Sequence, residues 1–238
     1  MTLLVIVRPE PGAAATLAAA RARGLEALSF PLFAVEPVSW VVPEPETFDA
    51  LLIGSANSLR HGGAGLRQYR GKPAYAVGAL TAQAAEAAGL AVAATGSGGM
   101  QEMLAHLAPE HRHLLRLAGR ARVELSPPPA VTLVERVVYD SARLAMPEKL
   151  ARLLSTRALA GTVVALHSAE AARHFAAECD RLKLVRARLR LAALGPRIAA
   201  AAGSGWMDVA YAQTPDDAAL LALAEQLCQS ATMPKPER

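Results

Sequence analysis

With 238 residues, of which 53% are apolar and 19% charged, the chain can bury one large core or two small ones and lies far from the composition of a disordered polymer. Its net charge of +4 is modest and its basic residues are scattered rather than gathered with aromatics into a stripe, which argues against a nucleic-acid partner. Two cysteines, Cys179 and Cys228, far apart and outside any CxxC spacing, point to buried free thiols rather than a disulfide framework or a zinc site.

The chain opens on "TLLVIV", an apolar strand that Arg8-Pro9 closes; Met1 to Val7 is too short for a secretory signal. No apolar run reaches the roughly 18 residues of a membrane span, so a cytoplasmic protein without a membrane partner is expected. Next come "GAAATLAAARARG", a helix stopped by Gly24, and "EALSFPLFAVEP", read as one strand. "FDALLIGS" leads into a short helix, "PAYAVG" into "ALTAQAAEAAG", and "LAVAATG" into a helix over "SGGMQEMLAHLA". Continuous apolar strands, each followed by a helix, predict a parallel sheet covered on both faces.

The same grammar then repeats. "GTVVALHSAEAARHFA" matches "DALLIGSANSLRHGG", "LRLAALGPRIAAAAGSG" matches "GKPAYAVGALTAQAAEAAG", and "MDVAYAQTPDDAALLALAEQL" matches the third strand and helix. "HLLRLAGRAR" likewise repeats the opening strand, and "LVERVVYDSARL" repeats "FPLFAVEPVSW" as a strand with a polar exit. The fold class expected is therefore α/β, with two similar parallel-sheet domains, one inserted in the other. We expect a discontinuous domain over 1–34 and 142–229, an inserted domain over 38–133, connecting segments at 35–37 and 134–141, and a frayed tail at 230–238. The basic run "RLKLVRARLR", Arg181 to Arg190, is expected to be the solvated face of one element.

Two serines, Ser55 and Ser168, stand where a strand meets a helix. Each fits a plain helix cap, and their equivalent places in a duplicated unit also fit anion binding. A nucleophile elbow is excluded, because Asn57 and Glu170 occupy the position of its second glycine. "GSGGMQ" and "GAGLRQ" miss the dinucleotide fingerprint, and no phosphate-binding GxxxxGK[ST] occurs. Gly78 and Gly195 follow strands singly and would let a ligand approach the backbone. The histidines of "HRH", His111 to His113, lack Cys or carboxylate partners at ligand spacing and read as solvated, so no metal or organic cofactor is implied. Arg8, Arg120 and Arg122 follow strands, where parallel sheets bind ligands, and arginine suits carboxylates; a surface ion pair is the other reading of each. Tyr139 fits either an amphipathic anchor or a hydrogen-bond and proton donor, since a phenol is protonated at neutral pH.

Taken in order, "VIVRPEPG", "PLFAVEP", "DALLIGSANSLR", "PAYAVGALTAQAAEAAG", "LRLAGRAR", "ERVVYDS", "VVALHSAEAARHF", "LAALGPRIAAAA" and "DDAALLALAEQL" resemble the uroporphyrinogen-III synthase family over nearly the whole chain. The resemblance implies two α/β domains joined by a two-stranded β linker, an active site in the cleft between them, and a cofactor-independent lyase. Its substrate would be hydroxymethylbilane, a linear tetrapyrrole with eight carboxylates, and the protein is expected to be a monomer. By the same resemblance Tyr139 is the catalytic acid. Arg8, Ser55, Ala56, Asn57, Gly78, Thr81, Arg120, Ser168, Ala169, Gly195, Pro196 and Arg197 are the candidate substrate-binding residues. The chain departs from the family pattern at Gly54, at Ala169 and at Arg197-Ile198. It departs again in the proline-rich stretch from Arg120 to Val134, which leaves little room for a helix usual there. A cleft protein that binds a polyanion without chemistry, and a family member turned interaction domain, are the alternative readings.

Overall fold

The computed structural model of the chain describes residues 2–96, 98–156 and 162–230. Gly161, at the head of one predicted strand, and residues 231–238 of the expected tail lie outside them. In chain order the first elements are β1 (Leu3–Ile6), α1 (Gly12–Ala22), β2 (Glu26–Ser29), β3 (Phe33–Pro37), β4 (Ala50–Ile53), α2 (Ala56–His61), β5 (Pro73–Val77), α3 (Ala79–Ala87), β6 (Ala91–Gly96) and α4 (Met100–Met103). There follow β7 (His113–Gly119), β8 (Thr132–Arg143), α5 (Glu148–Thr156), β9 (Thr162–Leu166), α6 (Ala169–Arg181), β10 (Leu189–Ala193), α7 (Pro196–Ala201), β11 (Asp208–Tyr211) and α8 (Asp217–Ser230). The chain divides into two compact units, one running to Ala34 and resuming at Arg143, the other being Val35–Ala142.

One unit holds a five-stranded sheet in the order β11-β10-β9-β1-β2, with every ladder parallel. The second sheet runs β6-β5-β4-β7-β8 and adds β3 beside β8. Strand for strand the two orders are the same, so the repeat in the sequence is a repeat in topology. Alternation along each strand feeds two cores. Leu3 and Val5 face Leu150 of α5 and Phe175 of α6, while Leu4 and Ile6 face Ala13 of α1 and Leu220 of α8. In the other unit Leu51 and Ile53 pack with Leu59 of α2 and Ala85 of α3, and Leu52 packs with Met103. Full burial of each Leu or Ile contributes roughly 1.5–3 kcal/mol.

Three segments differ from the sequence reading, each for a local reason. "EALSFPLFAVEP" makes two strands, because Pro31 supplies no amide to a ladder. The helix expected over "SGGMQEMLAHLA" shrinks to α4 and one 3₁₀ turn, Leu104–His106; Gly99 holds a φ of +104° ahead of it, and Pro109 disfavours helix at Ala108. "RLKLVRARLR" is not one face: it ends α6, turns at Lys183 with a φ of 53°, forms a 3₁₀ turn at Arg186–Arg188 and enters β10. The proline-rich stretch agrees with its reading: between β7 and β8 residues 121–129 contain no helix, whereas α1 fills the same connection in the other unit, and Pro127, Pro128 and Pro129 remove the donors a helix would use. That loop is fastened instead by a reciprocal pair, Gln101 Nε2 to Ser126 O and Ser126 N to Gln101 Oε1, each 2.9 Å.

Both cysteines are buried and outside any disulfide, and desolvation pushes Cys179 up to about 12 and Cys228 to about 11. Of the "HRH" histidines, His111 is not simply solvated: its Nδ1 lies 2.7 Å from the Tyr75 hydroxyl.

Candidate active site

At the two strand-to-helix corners the backbone is extended and the serine caps the helix. Ser55 (φ −154°, ψ 138°) accepts from Asn57 N at 3.2 Å, and Ser168 (φ −148°, ψ 154°) accepts from Ala171 N at 3.0 Å. Each hydroxyl proton stays available as a donor. Beside Ser55, Ala56 is buried and the Asn57 side chain accepts from Arg60. Ala169 is the first helical residue after Ser168.

The paired glycines also open helices. Gly78 takes a φ of +85°, which favours glycine, while Gly195 is extended; a Cβ at either would meet nothing within 4 Å. Thr81, behind Gly78, is buried in the first turn of α3, whereas Pro196 and Arg197 are exposed at the start of α7.

The arginines divide sharply. Arg8, expected to meet a substrate carboxylate, commits its Nη1 to both oxygens of Asp217 at 3.0 and 2.9 Å and to Thr16 Oγ1 at 3.2 Å. His167 Nε2 lies 3.3 Å from Asp217 Oδ1, within range of a charge contact, and neither buried ring nitrogen has a regular hydrogen-bond partner among the described residues. The His167 ring, the Thr16 hydroxyl and the Arg8 charge hold Asp217 well below the usual carboxylate range. Burial lowers His167 in turn. Arg120 is exposed and pairs with Asp140 at 2.7 Å.

Tyr139 reaches its place through an irregularity. The β7–β8 register shifts between Ala118 and Gly119, so Gly119 pairs with Tyr139, and a Cβ on Gly119 would lie 2.6 Å from the tyrosine Cζ. Only glycine leaves room for this ring. Tyr139 is half-buried and shares a pocket of about 190 Å³ with Gly54, Ser55, Ser58, Arg116 and Arg122. Ser58 Oγ donates to Leu117 O at 2.8 Å and fastens α2 to β7 beside it. The pocket lies at the carboxyl ends of β4 and β7, where parallel sheets bind their ligands.

Of the candidates, Ser55 and Tyr139 line this pocket together, and Arg120 adjoins it: its amide donates to Tyr139 O. Ala56, Asn57, Gly78 and Thr81 belong to the same unit without lining it, while Arg8, Ser168, Ala169, Gly195, Pro196 and Arg197 belong to the other unit. Sequence reasoning missed Arg116 and Glu135. Arg116 is only 3% exposed, and its Nη1 donates to Glu135 Oε1 and, at 2.9 Å, to Val123 O. Arg122 Nε donates to Glu135 Oε2 at 2.9 Å. Burial opposes ionisation of Glu135, but the bonds from Arg122 and Arg116 prevail and hold its carboxyl below the ordinary value. The available signal was a charge in the middle of the otherwise apolar "LLRLAG".

Comparison with known structures gives the same two-unit architecture. The uroporphyrinogen-III synthetase of Helicobacter pylori superposes with a TM-score of 0.66 at 17% identity, over 95% of this chain and all of that one. A mutant uroporphyrinogen III synthase of Thermus thermophilus gives 0.54 at 20% identity, over 97% of this chain and all of the other. No curated protein sequence matches. At these identities the structural matches speak for the fold. The family model described as uroporphyrinogen-III synthase HemD matches residues 14–222, most of the chain, and this protein therefore belongs to the uroporphyrinogen-III synthase family.

Proposed function

We infer that the chain closes hydroxymethylbilane to uroporphyrinogen III, with Tyr139 as the general acid. The observation that carries this reading is the pocket in which the Tyr139 ring, Ser55 and two arginines meet at the carboxyl ends of β4 and β7. The substrate offers eight carboxylates and one hydroxymethyl group, so cationic groups beside a phenol suit both its charge and its chemistry.

In the reaction the phenol proton goes to the departing hydroxyl, which leaves as water, and the lone pair of the terminal pyrrole forms an azafulvene. The substituted carbon of the last pyrrole attacks this electrophile and gives a spiro intermediate. That species fragments and recloses with ring D inverted, and the proton lost on rearomatisation restores the acid. The balance is hydroxymethylbilane to uroporphyrinogen III plus one water. The protein's main task is to hold the flexible chain so that inversion outruns simple closure to the type I isomer. No redox or hydrolytic step enters. The same reading takes a monomer of 24.9 kDa acting in the cytoplasm, and size-exclusion chromatography checks the first part.

The test is isomer analysis. Hydroxymethylbilane is generated in situ, the protein added, the products oxidised, and type I separated from type III uroporphyrin by chromatography. Predominantly type III product is expected. Only type I, from protein shown to be folded, would overturn the reading in favour of a non-catalytic member of the family.

A further inference from the structure

The duplication supplies an internal control for the pocket. Leu52 and Ala165 each stand three residues before their capping serine; Leu52 pairs with Arg116, and Ala165 with Ile6. A buried guanidinium thus occupies the place where the sister sheet has a fully buried isoleucine packed among α1 and α8. Burying a charge there is costly unless something uses it.

Glu135 cannot neutralise the site alone. It is shared by Arg116 and Arg122, so the three side chains carry one positive charge in excess. Arg116 Nε is buried with no hydrogen-bond partner among the described residues. Arg122 uses Nε on Glu135 and Nη1 on Arg120 O at 3.1 Å, which leaves Nη2 without a protein partner among the described residues; its side chain is 33% exposed. The excess is local, because Val35–Ala142 as a whole has nine Lys and Arg against ten Asp and Glu. At about 190 Å³ the pocket falls short of the roughly 300–1,000 Å³ of sites that enclose a whole ligand, so it fits one substituent of a larger molecule.

We propose that Arg122, oriented by Glu135 over the buried Arg116, is a specificity-determining residue that binds one acetate or propionate carboxylate of the tetrapyrrole beside Tyr139. This rests on the proposed function for the identity of the ligand, while the chemistry recognised, a carboxylate on a flexible arm, follows from the cluster itself. Arginine's planar fork is kept in one orientation by Glu135, so little freedom is lost when the carboxylate arrives. The loop 121–129 takes part by supplying Val123 O, which pins Arg116.

Steady-state kinetics on Arg122→Gln, Arg122→Lys and Arg67→Gln tests the assignment. Arg67 is exposed, belongs to the same unit and does not line the pocket, so it controls for general attraction of a polyanion. Arg122→Gln is expected to raise KM about tenfold with kcat within about twofold, and Arg122→Lys to raise KM about threefold, because charge remains but the fork is lost. Arg67→Gln should leave KM unchanged. An unchanged KM in folded Arg122→Gln, or an equal rise in Arg67→Gln, overturns the proposal; so does a fall in kcat alone. If the wild type makes only type I product, the proposed function fails, and affinity for uroporphyrin III decides the carboxylate site separately. About tenfold weaker binding by Arg122→Gln, with Arg67→Gln unchanged, upholds it, and equal affinities reject it. Should Arg122→Gln fail to fold, Arg122→Lys carries both measurements.

Discussion

Tyr139 and Gly119 act as a pair, since the ring occupies the space that a side chain at 119 would fill. If the hydroxyl is the acid, Tyr139→Phe lowers kcat about 10²-fold and changes KM less than about twofold, because the proton is transferred only in the transition state. Equal rates would remove the acid role. Gly119→Ala should also lower kcat by displacing the hydroxyl, and in the Tyr139→Phe background it should cost little more, the signature of two residues serving one function. Full additivity of the two losses would separate them. Arg8 gives the opposite case. Its ion pair with Asp217 ties β1 to α8, so Arg8→Gln should lower Tm while leaving KM unchanged. A raised KM at unchanged Tm would return Arg8 to the substrate site. At this scale the sequence was partly legible. Ser55 could be placed because it stands where an apolar strand meets a helix, and Tyr139 through the resemblance of "ERVVYDS" to the family, but an arginine's partner comes from distant chain, and nothing near Arg8 announces Asp217.

Elements are held by polar ties that periodicity does not reveal. Glu178, on the inward side of α6, accepts from Met146 N at 2.6 Å and from Arg181 Nε and Nη2 at 2.8 and 2.6 Å, fastening the approach to α5 onto α6. The Arg181 bonds, then the Met146 amide, outweigh burial and hold its carboxyl at about 2, below the usual 4.5. A depressed carboxyl stabilises the fold fully above its unfolded value, and the contribution is lost as pH falls from 4.5 toward about 2. Its size is on the order of 3 kcal/mol. Glu178→Gln should therefore melt well below wild type at neutral pH, and the gap in Tm should close as the pH is lowered through that window. A gap independent of pH would show that shape, not charge, is what Glu178 contributes. Helix and strand identities were largely readable, because apolar runs such as "TVVAL" and Ala-rich stretches carry their own period. The exceptions are local: Pro31 splits one expected strand, Gly99 and Pro109 cut α4 short, and the turn at Lys183 breaks the basic run.

For the whole molecule, the duplicated order was legible because both copies kept strand, corner and helix in sequence, and matched motifs in matched order constrain topology more than any single motif does. What duplication hides is divergence. The Arg116 strand reads as a copy of β1, and only the ladder shows that a core position has become a charge. This has a consequence for how the chain meets an octacarboxylate. A net charge of +4 attracts a polyanion at long range, but exposed charges separated by more than about 10 Å are screened at 0.1 M salt, whereas a short-range pair in a pocket is screened much less. KM should therefore rise severalfold between roughly 20 and 200 mM sodium chloride while kcat stays constant, since screening weakens encounter and binding but not proton transfer. In Arg122→Gln the same salt series should start from a higher KM and rise with nearly the same slope, because the lost contact is the one least screened. A slope that collapses in the variant would mean that Arg122 works through the long-range field, and a flat response in the wild type would mean that the net charge plays no part in capture.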